Sequence, residues 1–261
     1  MTDKRITGER NALAILHFLH RFGWLTSRMV SSLCWPHASQ ADSMARRALK
    51  RLLDDQFVLR RRVPDGAAEV YTLAAAGAKR LRDVLGIEAQ SGKTLKLANA
   101  IHRACSNWYL IHKLADGFEV WTEHEIQTGR APWGIVDGKA ADGVVETDCG
   151  LVWVEVENAW KNRARREAIV QHVERGLGDP EHLTPLAGGH HLFRVAVVAT
   201  NKEALRSIVQ TFVESHRKGY TRDHHLSAVD LALLPVTPGL APAALSEMNL
   251  WYDLLLDDTP A

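Results

Sequence analysis

The sequence predicts an α/β protein in two parts: a basic, mainly helical front third and a longer mixed α/β remainder. Three observations carry this. Residues 1–95 hold sixteen lysines and arginines against nine acids, and residues 96–261 hold sixteen against twenty-two, so a formal charge of +1 conceals +7 in front and −6 behind. Apolar residues recur at helical spacing in the front, whereas short β-type runs recur in the rest. Finally, residues 139–161 (KAADGVVETDCGLVWVEVENAWK) hold two strand-like runs around a Thr147-Asp148-Cys149-Gly150 turn. Asp142 opens the first run, and Glu155 and Glu157 close the second on one face of the strand.

In chain order, residues 9–21 (ERNALAILHFLHR) space Leu13, Leu16 and Leu19 for a core helix, widened by Ile15 and Phe18 and ended by Gly23. Thr26-Ser27 then caps a short second helix reaching about Leu33, closed before Pro36. Ser39 and Asp42 have capping-box spacing for a third helix to about Asp55. Ala45, Ala48, Leu49 and Leu52 fall on one face of it, and Gln40, Ser43, Arg46, Arg47, Lys50 and Arg51 on the other. Residues 57–62 (FVLRRR) read as a strand, 63–66 (VPDG) as a turn and 69–73 (EVYTL) as the return strand. The polar stretch 88–94 (EAQSGKT) marks the boundary, giving a first domain over 1–90 and a second over 95–261.

Helix–helix–helix–hairpin with a basic third helix resembles the winged helix-turn-helix family. That resemblance implies binding of double-stranded DNA: the third helix enters the major groove, and Arg60, Arg61 and Arg62 of the wing lie near the backbone. A homodimer on paired half-sites is compatible with it, although no coiled-coil heptad marks one.

In the second domain, residues 97–115 read as a helix with Ile101, Cys105, Trp108, Ile111 and Leu114 on one side, and 118–126 (FEVWTEHEI) as a strand. After the acidic hairpin come a charged helix at 161–176, a buried strand at 193–200 (FRVAVVAT), a helix at 202–217 and a last strand at 228–235 (AVDLALLP). The tail 249–256 (NLWYDLLL) is apolar enough to dock on the protein or a second copy.

This αβββαβαβ order, with its acids, resembles the restriction-endonuclease-like PD-(D/E)XK fold over about residues 97–236. The resemblance assigns Asp142 and Glu155 as Mg²⁺-holding acids, and Glu157 stands where such nucleases keep a lysine. Lys161 is positioned to replace that lysine, or Glu157 serves as a third metal ligand. Glu123 and Glu125 are weaker accessory candidates on the preceding strand. With the winged helix in front, W-x-E-x-E-I (Trp121, Glu123, Glu125, Ile126), ADGVVE and WVEVE together resemble the replication-relaxation family of bacterial plasmids and integrative elements. In that family an acid commonly occupies the lysine position, as Glu157 does here.

Other constellations are thin. The adjacent pairs His190-His191 and His224-His225 lack metal-ligand spacing, no HExxH occurs, and Ser91-Gly92-Lys93-Thr94 lacks the earlier glycine of a phosphate loop. No apolar run is long enough to span a membrane, and MTDKRITGER lacks the apolar stretch of a signal peptide. Cys34, Cys105 and Cys149 form no CxxC, which fits a reducing cytoplasm. The leading expectation is a DNA-binding regulator of transcription, replication or transfer with an inactive nuclease-like domain, needing no cofactor. The alternatives are a Mg²⁺-dependent DNA endonuclease addressed by the winged helix, and a protein-interaction adaptor in a replication or conjugation complex.

Overall fold

The computed structural model describes residues 4–64, 68–133, 135–136, 138–158, 163–177 and 189–250. The chain divides into two compact units, the first running to Ala100 and including Pro238–Ala241.

In the first unit, α1 (Lys4–Phe22) buries Ile15, Leu16, Leu19 and Phe22, the periodicity its sequence displays. Gly23 ends it at φ +77°, a left-handed turn that glycine adopts without penalty. β1 (Trp24–Leu25) follows, and Thr26 Oγ1 accepts the Met29 N–H to cap α2 (Ser27–Cys34). The third helix, α3 (Ala41–Asp54), starts on Gln40 without a side-chain cap, so the expected Ser39–Asp42 capping box is not used. Asp42 still lies in the first turn, where its charge suits the helix dipole.

β2 (Val58–Arg62) and β3 (Glu69–Leu73) form the expected antiparallel hairpin, with Arg60 opposite Tyr71 and Arg62 opposite Glu69. Two residues of the turn between them, Asp65 and Gly66, lie outside the described residues. β1 adds to β3 as a third strand, giving the order β1-β3-β2. The periodicity did not reveal α4 (Ala75–Leu85), which packs Gly77 against the Phe57 carbonyl. Residues 88–94 form no free tether: Ser91 Oγ donates to the Leu73 carbonyl, and a short 3-10 turn at Gly92–Thr94 lies against Thr72.

The second unit is built on a mixed six-stranded sheet. α5 (Ala100–Ala115) is buried along Arg103–Ile111 and precedes β4 (Glu119–Thr122). The expected strand over 118–126 stops at Thr122, and Glu123–Gln127 instead form α6. Thr122 Oγ1 accepts the Glu125 N–H (3.1 Å) while Glu125 Oε2 accepts the Thr122 N–H (2.9 Å). This reciprocal cap turns strand into helix. A small hairpin, β5 (Ile135–Val136) and β6 (Lys139–Ala140), leads into β7 (Gly143–Thr147) and β8 (Gly150–Glu157).

The β7–β8 pair turns at Asp148-Cys149 as expected, with Thr147 opposite Gly150. Then come α7 (Arg163–Leu177), β9 (Leu192–Ala199), α8 (Lys202–Arg217), α9 (Asp223–Ser227), β10 (Val229–Leu233) and β11 (Ser246–Asn249). The sheet order is β11-β10-β9-β8-β7-β4, parallel only along β8-β9-β10. Parallel strands need covered faces, and β8 is buried at every residue, between α5 and the α7–α8 side. The core on that second side gathers Trp153, Val173, Val197, Ile208 and Phe212. Trp108 is buried in α5. No helix among the described residues is long and apolar enough to cross a membrane.

Candidate nucleic-acid interface and acidic site

In the first unit, α3 separates its two faces as its periodicity requires. Ala45, Leu49 and Leu52 are buried, whereas Gln40, Arg46, Arg47, Lys50 and Arg51 are exposed and Ser43 is half-buried. Positions 46, 47, 50 and 51 stack on one face because 3.6 residues complete a turn. Their cations lie along a single exposed stripe. Arg46 Nη2 donates to Ser43 Oγ (3.5 Å) and Arg47 Nε to the Ser43 carbonyl (3.3 Å), which orients both guanidinium groups along the helix. Arg51 meets Asp55 only at 4.0 Å, with both side chains mostly exposed, so that pair neutralises little of the stripe.

The three hairpin arginines differ. Arg60 and Arg62 are exposed on one face of β2, and Arg60 lies 3.7 Å from Glu69. Arg61 points the other way, where Nη1 donates to the carbonyls of Leu95 (2.6 Å) and Gly92 (3.0 Å). Alternation along the strand explains the split. Arg61 holds the 88–95 segment to the sheet, a role invisible in the run RRR.

In the second unit, Glu155 and Glu157 lie at the end of β8, and Asp142 sits beside that strand end on the neighbouring chain segment. Asp142 stands just before β7, and its Oδ2 accepts the Val156 N–H (2.8 Å), between Glu155 and Glu157. Its backbone N–H reaches the Val154 carbonyl (3.0 Å), and Ser106 Oγ of α5 donates to its carbonyl. His102 Nε2 of α5 lies 3.3 Å from Asp142 Oδ2. Glu155 and Glu157 are both buried, 6% and 2% exposed. A buried carboxylate is costly without a compensating charge, and Lys139 Nζ of β6 supplies one at 2.8 Å from Glu155 Oε2. Glu157 lies one pleat further along the same face, on the strand's last residue.

Lys139 and His102 were not singled out in the sequence. No local pattern marks either one, because His102 comes from α5 and Lys139 from the separate β5–β6 hairpin, and tertiary packing brings each to its acid. Lys161, the residue expected to replace the missing lysine, lies outside the described residues. The accessory acids go elsewhere. Glu123 Oε2 accepts from Arg103 Nε (2.9 Å), whose Nη2 reaches Gln127 Oε1 (3.0 Å), and Glu125 closes the cap of α6. The T-E-H-E spacing at 122–125 is the capping-box signal that would have found this.

Whether the acids fit Mg²⁺ can be judged from their donor atoms. Asp142 Oδ2 is engaged by a backbone N–H, and Glu155 Oε2 by an ammonium. Among the described residues no group of three or more His, Cys, Asp or Glu side chains is arranged to hold a metal ion. Each of these two carboxylates also has a second oxygen, so the described side chains, though no ready-made Mg²⁺ cage, retain oxygen donors.

Cys105 is buried and Cys34 half-buried. Burial pushes Cys34 up to about 12 and Cys105 up to about 12, in the latter case with a smaller contribution from the Asp142 charge, whereas Cys149 is exposed at the β7–β8 turn. No protein-family model matches the chain, and neither a curated protein nor a solved structure does.

Proposed function

We propose that this chain is a DNA-binding protein of a bacterial plasmid or mobile element, acting in transcription, replication or transfer. In this reading the first unit is a winged helix-turn-helix that lays α3 in the major groove. The second is a nuclease-like domain, of the kind found in the replication-relaxation family, that does not cleave DNA. The observation that carries the reading is the exposed stripe Arg46, Arg47, Lys50 and Arg51, opposite the buried Ala45, Leu49 and Leu52. Such a stripe offers bidentate and point-charge donors to base edges and phosphates. Arg60 and Arg62 extend it on the hairpin, the element that lies near the backbone in winged helices. Glu157, which stands where such nucleases keep a lysine, supports the non-cleaving part, because a carboxylate cannot supply the positive charge that a lysine gives.

Fluorescence anisotropy with a labelled duplex tests this directly. Arg47→Ala and Lys50→Ala should each weaken binding by about 1–3 kcal/mol where they read a base, or lower the salt slope by about one where they meet a phosphate. Glu155→Ala should leave binding unchanged. Equal affinity for wild type and Arg47→Ala would sink the groove assignment.

A second reading, a metal-dependent endonuclease, is favoured by one observation. An ammonium group, that of Lys139, lies 2.8 Å from Glu155 near the same strand end that carries Glu157 and flanks Asp142. Metal-dependent nicking of supercoiled plasmid by wild type, lost in Glu155→Ala, would establish it over the first.

A further inference from the structure

A cavity of about 840 Å³ opens between α1 and α3 of the first unit, within the size range of small-molecule sites. Trp35, Met44, Leu52 and Phe57 supply an apolar wall. Arg47, Arg51 and Arg80 face it against the carboxylates of Glu9 and Asp55, so its polar part is net cationic. We propose that this cavity binds a small aromatic carboxylic acid, and that the bound acid draws Arg47 and Arg51 away from DNA.

The chemistry of Arg80 points to an acid rather than to a neutral apolar ligand. Its guanidinium lies over the Phe57 ring, 4.9 Å from the centroid, and one Nη is bonded to Glu9. Its Nε is buried with no hydrogen-bond partner. The Arg80 side chain is still 31% exposed, so its guanidinium presents positive charge to the cavity beside Arg47 and Arg51, and a carboxylate answers that charge. The Arg80–Phe57 stack offers a flat ring a further layer, because guanidinium and aromatic planes pack face to face.

Arg51 and Arg47 link this cavity to the exposed stripe of α3. Arg51 crosses towards α1, where its Nη1 lies 3.6 Å from the position a Cβ on Gly8 would take. A neighbouring hollow shares Arg51 and Glu9 and adds Arg5 and Arg10, extending the cationic rim. An acid seated against Arg80 therefore competes with phosphate for the guanidinium groups of Arg51 and Arg47. This regulatory half rests on α3 being the DNA-contacting helix.

Isothermal titration of the full chain with 1-naphthoate, against the neutral 1-naphthamide, tests the cavity without DNA. The acid should bind about tenfold more tightly than the amide, and R80Q should lose that preference. A48W fills the cavity from α3 and should abolish binding even if R80Q alters folding. Anisotropy with a labelled mixed-sequence duplex at low salt should show duplex affinity falling about tenfold at saturating naphthoate in wild type and staying constant in A48W. Equal binding of acid and amide, or none of either, overturns the site. Binding of the acid with unchanged duplex affinity overturns the control of DNA. Absence of duplex binding without naphthoate defeats the DNA-binding reading and the regulatory half together, while the titration still judges the cavity.

Discussion

Lys139 Nζ lies 2.8 Å from Glu155 Oε2, joining the short β5–β6 hairpin to the buried end of the central strand. The glutamate side chain is 8% exposed and the lysine 34%. Lys139→Ala would remove a cation from a buried carboxylate. Because Lys139 is partly solvated, the loss should be about 1–3 kcal/mol, below that of a fully buried pair. Glu155→Gln should lose less in the Lys139→Ala background than alone. A double-mutant cycle in urea reads the coupling, and strictly additive effects would mean that the pair contributes nothing.

Arg61 and Arg62 should part company when each is replaced by alanine. Arg61→Ala removes two hydrogen bonds from a guanidinium to the carbonyls of Gly92 and Leu95 and should destabilise the first unit by about 1.5–3 kcal/mol. Arg62 is exposed, so Arg62→Ala should leave the urea midpoint in place while lowering the salt slope of duplex binding by about one. The reverse pattern would show that the hairpin presents its other face to DNA.

Alkaline stability follows from the two thiols that desolvation holds protonated. Cys105 is pushed by burial, and then by Asp142, from 9.0 up to about 12. Between those values the folded chain keeps a proton that the unfolded chain releases, so stability is full below about pH 9 and falls as pH rises towards 12. Cys34 acts in the same sense. Denaturation midpoints of Cys105→Ala should therefore decline less steeply with rising pH than those of wild type. Iodoacetamide on the folded chain should label the exposed Cys149 first.

Gly77 sets two effects against each other. Glycine inside a helix is less favourable than alanine by roughly 0.5–1 kcal/mol, so Gly77→Ala would ordinarily stabilise α4. Here the added Cβ would fall 2.2 Å from the Phe57 carbonyl oxygen, a backbone atom that also accepts the Ala74 N–H. Overpacking should dominate, with a net loss of about 1–3 kcal/mol in thermal or urea unfolding.

Much of the candidate DNA interface was legible in the sequence, and less of the acidic site. The α3 stripe follows from periodicity alone, since the buried Ala45, Leu49 and Leu52 dictate where Arg46, Arg47, Lys50 and Arg51 must lie. Asp142 could be placed beside the end of β8 because a two-residue turn sets the β7–β8 register. Lys139 and His102 could not, since nothing nearby in the chain specifies which acid each will meet. The strand expected over 118–126 stops at Thr122 because a helix cap there outweighs the alternating pattern beyond it.

Local sequence specifies α1 to α3, α8, the β2–β3 and β7–β8 hairpins and the charge contrast between the parts. Caps, turns and apolar spacing act over a few residues and need no distant partner. Only the tertiary structure decided that β1 completes a three-stranded sheet, that β11 adds an edge to the larger one, that Arg61 turns inward, and that Glu155 pairs with Lys139. A charge in a sheet interior takes as counter-ion whatever group chain crossing brings within a few ångströms, and desolvation makes that choice binding.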